Sequence, residues 1–197
     1  MSASNLPAPA VMHRGEFLDY FDVKTDPSNP RRHWEYVRRP NGRSGVTLVP
    51  ITADGRMLII EQFRWPLRDY VIELPSGLVE VDELGNTRGA AGRELSEETG
   101  AEFGPLTLLA RGPLLPGLTD EINEFFHAPV LRHAPFAEDG LRLNVTAGNP
   151  HEDESIRGVY AVPIQDAHAW LNTRQQAGAI IDLRIYVGLC FAQSKQP

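Results

Sequence analysis

Short apolar runs with strand-like spacing dominate this chain, broken by a few longer stretches with helical spacing. Glu16 to Val23 and His33 to Arg38 alternate as half-buried strands do, and the turn-rich run Asp26-Pro27-Ser28-Asn29-Pro30 separates them. After a second turn at Pro40-Asn41-Gly42, the runs GVTLVPI and MLIIEQF flank Ala53-Asp54-Gly55-Arg56, which predicts a hairpin entering the main sheet. Val71 to Leu74 reads as a further strand, stopped by Pro75-Ser76-Gly77. Thr87 to Thr99 has helical spacing with Gly100 as its stop, although Gly89 and Gly92 each weaken a helix by about 1 kcal/mol. Strands are expected over Leu106 to Arg111, Glu124 to Leu131 and Ile156 to Val162, and helices over Ile164 to Leu171 and Ile180 to Ala192. Residues 1 to 10, small and proline-containing, read as a frayed tail. The order is that of a mixed α/β chain without internal repeats.

Length and charge narrow the function classes. A chain of 197 residues suits one domain with embellishments. No long linker divides it, so residues 1–44 are expected to form an N-terminal tail and β appendage, and residues 45–197 the main domain. Nineteen Lys and Arg stand against 26 Asp and Glu, a formal charge of −7, which argues against nucleic acid or an anionic membrane as partner. A phosphate-bearing ligand would need local cations. Cys190 is the only cysteine, which excludes an intrachain disulfide and a cysteine-rich zinc site and suits a reducing compartment. No run approaches the roughly 18 apolar residues of a membrane span, and the start lacks the basic and apolar pattern of a signal peptide. The expectation is a soluble, unprocessed, cytoplasmic chain.

The segment GRELSEETG, residues 92 to 100, breaks local rules. On a helix Glu94, Glu97 and Glu98 stand at i, i+3 and i+4, so their carboxylates share one face and repel by tenths of a kcal/mol per pair. Glu98 also lies at the helix end where the dipole disfavours anions. Taken alone, a solvated acidic face partly neutralised by Arg93 accounts for this more simply than anything else. The functional alternative is a hard-cation site, where oxygen ligands turn repulsion into coordination and leave positions for phosphate oxygens.

The wider stretch from Glu73 to Ala101 resembles the Nudix hydrolase box, G-x5-E-x7-R-E-U-x-E-E-x-G-U with U aliphatic. Gly77 and Glu83 meet its first spacing and Arg93 to Ala101 its second half, but nine residues, Leu84 to Gly92, stand where the pattern has seven. The resemblance implies an α/β/α sandwich with a mixed β-sheet. It also implies that Glu94 and Glu98 bind Mg²⁺, with Mn²⁺ as a substitute, beside the Ser76 carbonyl. Glu97 would be a further ligand or a partner of the ligands, and Arg93 would orient a glutamate. The longer loop leaves the role of Glu83 open.

Flanking residues narrow the subgroup. Gln62-Phe63-Arg64, Glu73-Leu74-Pro75-Ser76-Gly77 and the loop Leu115 to Glu121 resemble elements of ADP-ribose pyrophosphatases and related nucleotide-sugar hydrolases. Substrate contacts are accordingly expected from Arg64, Arg68, Glu73, Pro116, Gly117 and Glu121, with a surface ion pair or an ordinary turn as the plainer reading of each. Trp34 is expected in a core or a dimer contact rather than stacked on a base. His33, His127 and His133 lack ligand spacing. In this subgroup an acidic loop supplies a catalytic base, which a proton transfer requires within about 3 Å of the water. His151-Glu152-Asp153-Glu154 looks like that element, with Glu152 as base and Glu154 as a metal ligand. The implied activity is hydrolysis of a nucleoside diphosphate-linked small molecule, ADP-ribose or another such as GDP-mannose, by a homodimer completed by its N-terminal strands. A Nudix regulator that binds without turnover is the competing class, and the intact glutamates argue against it.

Overall fold

The computed structural model describes residues 7–26, 28–29, 31–40, 44–144 and 155–193. Strands β1 (Ala10–Arg14), β2 (Asp19–Lys24) and β3 (His33–Arg38) pair antiparallel into a small N-terminal sheet. The large sheet holds β4 (Gly45–Thr52), β5 (Arg56–Arg64), β6 (Asp69–Glu73), β7 (Ser76–Leu78), β8 (Glu102–Phe103), β9 (Thr107–Gly112), β10 (Asn123–Arg132), β11 (Ile156–Pro163) and β12 (Ile180–Ile181). It is mixed, because β10 runs parallel to β4 and β12 parallel to β6 while the other pairs are antiparallel.

Strands β4 and β5 read as nearly continuous apolar runs because both faces of the sheet are covered. Val46 and Leu48 pack on Ala90, Ala91 and Leu95 of α1 (Thr87–Thr99). On the opposite face Val49, Met57 and Ile59 meet Leu171 of α2 (Ala167–Gln176) and Ile185 and Leu189 of α3 (Arg184–Gln193). The expected α/β/α layering follows from this alternation, and each fully buried aliphatic side chain stabilises it by about 1.5–3 kcal/mol. Among the described residues no helix is long and apolar enough to cross a membrane.

Four local expectations need correction. β1 begins at Ala10, where a frayed tail was expected. Pro75 interrupts the chain but does not end the pairing: its carbonyl accepts from Leu48 N at 2.8 Å, and β7 starts at the next residue. Ile164 is buried but precedes α2, its N–H donating to Gly55 O at 3.0 Å, so its apolar spacing reported burial and not helix. Ile180 and Ile181, a β-branched pair, extend alongside Val71 and Ile72, which delays the last helix to Arg184.

Helix α1 falls where its spacing placed it. The Asn86 side chain accepts from Gly89 N at 3.1 Å as the N-cap, and Gly100 closes the helix at φ 65°, donating to Ser96 O at 2.9 Å. Gly92 is a matter of space: a Cβ there would lie 2.7 Å from the Phe103 ring. Because Gly100 occupies the left-handed region, Gly100→Ala is expected to lower unfolding free energy by about 1 kcal/mol in urea denaturation. No loss would mean that this cap does not terminate the helix.

Candidate active site

Helix α1 and the turn between β6 and β7 together build the acidic centre. Glu98 is 1% exposed, and one carboxylate oxygen, Oε2, accepts from Ser76 N at 2.9 Å. That N–H offsets the unfavourable placement of an anion at a helix C-terminus. Glu94, 7% exposed, fills the notch left by Gly77: a Cβ at that position would lie 2.0 Å from its carboxyl carbon and Oε1. The absence of a Cβ at Gly77 is what leaves the Glu94 carboxylate this position; an added methyl group would displace it.

Arg93 ties the remaining glutamates together. Its Nε and Nη2 donate to Glu83 Oε1 and Oε2 at 3.1 and 3.0 Å, and Nη1 donates to Glu97 Oε2 at 3.0 Å. The same Nη1 lies 3.0 Å from Glu94 Oε1, and Nη2 also donates to Leu78 O at 3.3 Å. Glu83 ends a 3-10 turn over Val81–Glu83. The turn after it passes through Gly85 at φ 89°, so the longer loop is absorbed before the helix and Glu83 still reaches Arg93. The hydrogen bonds from Arg93 hold the Glu83 carboxyl below its usual range, and reciprocally Glu83 raises the guanidinium above its own.

Above this centre opens a cleft of about 360 Å³. Arg64, Ser76, Glu94 and Glu121 line it, and Arg39, Asn123 and Arg184 join them. Glu73 lies beneath, 1% exposed, clamped by Arg64 through Nε to Oε1 at 2.8 Å and Nη2 to Oε2 at 2.9 Å. Burial pushes the Glu73 carboxyl up, against the pull of Arg64. Arg64, Glu73, Ser76, Glu94, Glu98 and Glu121 are thus brought together from distant parts of the sequence.

Other expected residues lie elsewhere. Glu97 lines a separate acidic hollow of about 400 Å³ with Glu80, Asp82, Glu83 and Arg93. Arg68 is exposed in the turn between β5 and β6 at φ 53°, its backbone N–H on Arg64 O at 2.9 Å. Pro116 and Gly117 lie in a loop held by β3: Trp34 Nε1 donates to Gly117 O at 3.0 Å, and Val37 N to Leu118 O at 2.9 Å. Arg38 pairs with Asp120, and Arg39 with Glu121. Trp34 is 54% exposed, which rules out the core role expected as one of its alternatives. Glu152 and Glu154 lie outside the described residues. Ser155, the next residue, accepts from Phe63 N at 2.8 Å, beside Arg64.

Sequence reasoning missed Arg39, Asn123 and Arg184. Asp182 and Arg184 were a usable signal, two charges inside the apolar run from Ile180 to Val187. The expectation of one continuous helix there concealed it.

The donor set fits a hard divalent cation. Two buried carboxylates, Glu94 and Glu98, flank the Ser76-Gly77 backbone, and oxygen is the donor atom throughout. Among the described residues no three His, Cys, Asp or Glu side chains converge to hold a metal unaided. A cation here would need further oxygen ligands beyond these two carboxylates.

Residues 42–182 match the NUDIX domain family model. The chain is 28% identical over 184 residues to an ADP-ribose pyrophosphatase of Bacillus subtilis, covering 92% of this chain and 88% of that protein. It is 34% identical over 122 residues to a methanol dehydrogenase activator of Bacillus methanolicus, covering 62% and 58%. It is 37% identical over 87 residues to an ADP-ribose pyrophosphatase of Saccharomyces cerevisiae, covering 40% and 37%. The chain thus matches less than two thirds of the length of the second and third of these relatives.

Gly77→Ala is expected to displace the Glu94 carboxylate and weaken Mn²⁺ binding at least about tenfold, with the far-UV circular dichroism of the native chain retained. Unchanged Mn²⁺ affinity by calorimetric titration would remove Glu94 from the cation site.

Proposed function

The chain belongs to the Nudix domain family, and from that premise we propose that it is a divalent-metal-dependent pyrophosphohydrolase that cleaves ADP-ribose to AMP and ribose 5-phosphate. The observation that carries the proposal is the buried Glu94 and Glu98 pair beneath a cleft that also holds Arg64 and Arg184. An acidic protein with local cations beside an acidic floor suits a pyrophosphate accompanied by metal. The names of the Bacillus subtilis and Saccharomyces cerevisiae relatives support ADP-ribose as the substrate.

Glu94, Glu98, the Ser76 carbonyl and Glu154 would hold Mg²⁺, for which Mn²⁺ substitutes. Bound there, the cation would offset the charge of the pyrophosphate and make its phosphorus more electrophilic. Arg64 steadies a phosphate oxygen, with Glu73 fixing the plane of its guanidinium. Glu152 removes the proton from the attacking water as its oxygen bonds to phosphorus and the bridging P–O bond breaks. Glu97 acts through Arg93, which also holds Glu94. Arg68, Pro116, Gly117 and Glu121 contact the rest of the substrate.

We further assign residues 1–44 to a dimerisation appendage and residues 45–197 to the hydrolase domain. Val11, Met12, Phe17 and Trp34 are exposed on or beside the N-terminal sheet, and a second copy of the chain would cover them. One cysteine in the whole chain suits the cytoplasm.

The test is a panel of ADP-ribose, GDP-mannose, UDP-glucose, NADH and deoxynucleoside triphosphates with Mg²⁺, products identified. Release of AMP and ribose 5-phosphate from ADP-ribose is expected. Hydrolysis of only another nucleoside diphosphate sugar would replace the substrate, and tight binding without turnover would make the chain a regulator. Glu98→Gln should abolish Mg²⁺-dependent turnover with the fold intact; undiminished turnover would overturn the metal assignment. For Glu152→Gln, kcat should fall about 10²–10⁴-fold with a smaller change in binding, and an unchanged kcat would place the base elsewhere.

A further inference from the structure

Arg184 opens α3, more than 80 residues after the box, yet its side chain reaches three separate groups. Nη2 donates to Glu73 Oε2 at 2.9 Å and to Asp182 Oδ2 at 2.6 Å, Nε donates to the same Asp182 oxygen at 2.9 Å, and Nη1 donates to Ser76 Oγ at 3.2 Å. The side chain is 19% exposed, at the wall of the cleft. Two of its partners lead directly into the site. Glu73 is the carboxylate that grips Arg64, and Ser76 is the residue whose N–H is bonded to Glu98 Oε2.

We propose that Arg184 is a positioning residue: it brackets Glu73 and Ser76, fixing the turn that orients Glu98 for the cation and the carboxylate that aims Arg64 into the cleft. The consequence for catalysis rests on the pyrophosphohydrolase reading; the bracket itself does not. A planar guanidinium spreads its N–H groups over fixed directions, so it can hold a carboxylate, a hydroxyl and a second carboxylate together. A lysine ammonium keeps the charge but is a compact point on a flexible stem, and it cannot reproduce that spread. Asp182 anchors the base of the bracket. Burial favours its neutral form, but the hydrogen bonds from Arg184 prevail and hold its carboxyl below the usual range.

The experiment is a double-mutant cycle read by Mn²⁺ binding to the substrate-free chain, followed by electron paramagnetic resonance of free Mn²⁺. Arg184→Lys should weaken Mn²⁺ binding about tenfold, the loss expected when the support of a metal ligand is removed. Ser76→Ala, which keeps the carbonyl and every ion pair, should weaken it less. The double variant should be no worse than Arg184→Lys, because both changes break one linkage. Wild-type affinity in Arg184→Lys, or losses that simply add, would overturn the bracket. If Arg184→Lys does not fold, Ser76→Ala decides alone: wild-type Mn²⁺ affinity overturns the proposal and a reduced affinity supports it. Wild-type turnover of ADP-ribose is measured in parallel. Its absence would overturn the substrate reading, while the Mn²⁺ titrations would still judge the bracket.

Discussion

One guanidinium makes the acidic helix tenable. Glu94, Glu97 and Glu98 share a face of α1, and Arg93 donates hydrogen bonds to Glu83 and Glu97 and pairs with Glu94, all at 3.0–3.1 Å. Its remaining bond to Leu78 O reaches β7, so the same side chain also fixes the edge against which Glu94 rests. Glu98 is held by the Ser76 N–H. Repulsion among like charges is thereby exchanged for a set of oriented carboxylates, two of them buried, facing a backbone with no Cβ in the way.

The division of labour among the glutamates follows from which side of Arg93 each occupies. Glu94 lines the cleft and Glu98 bonds to the Ser76 N–H, whereas Glu97 and Glu83 line a separate hollow. Cations of the cleft come from three distant segments: Arg39 after β3, Arg64 at the end of β5 and Arg184 at the start of α3. A chain with net charge −7 in this way gathers three guanidiniums at one cleft, each paired with a carboxylate: Arg39 with Glu121, Arg64 with Glu73, and Arg184 with Glu73 and Asp182.

The carboxylate helix was legible in the sequence because its signals are local: the i, i+3, i+4 spacing of Glu94, Glu97 and Glu98 runs directly into the glycine stop at Gly100. β4 and β5 were legible for a similar reason, as apolar runs bounded by turns, whereas the three-layer arrangement was expected from the resemblance to the Nudix box. What the sequence did not reveal depends on contacts between distant segments. β7 needs the Leu48 N–H to donate to the Pro75 carbonyl, and β12 needs the neighbouring Val71 and Ile72. Arg184 acquires its role only when α3 returns to Ser76, 108 residues away along the chain. Glu83 showed the converse: counting residues put its role in doubt, and a turn through a left-handed glycine restored its reach to Arg93.

The central claim is that Glu94 and Glu98 form the cation platform, and its most direct measurement is a crystal of the chain soaked with Mn²⁺ and recorded at the manganese absorption edge. The account predicts an anomalous peak in contact with the carboxylates of Glu94 and Glu98 beside the Ser76-Gly77 turn. A peak confined to the hollow lined by Glu83 and Glu97, or none at a saturating Mn²⁺ concentration, would contradict it.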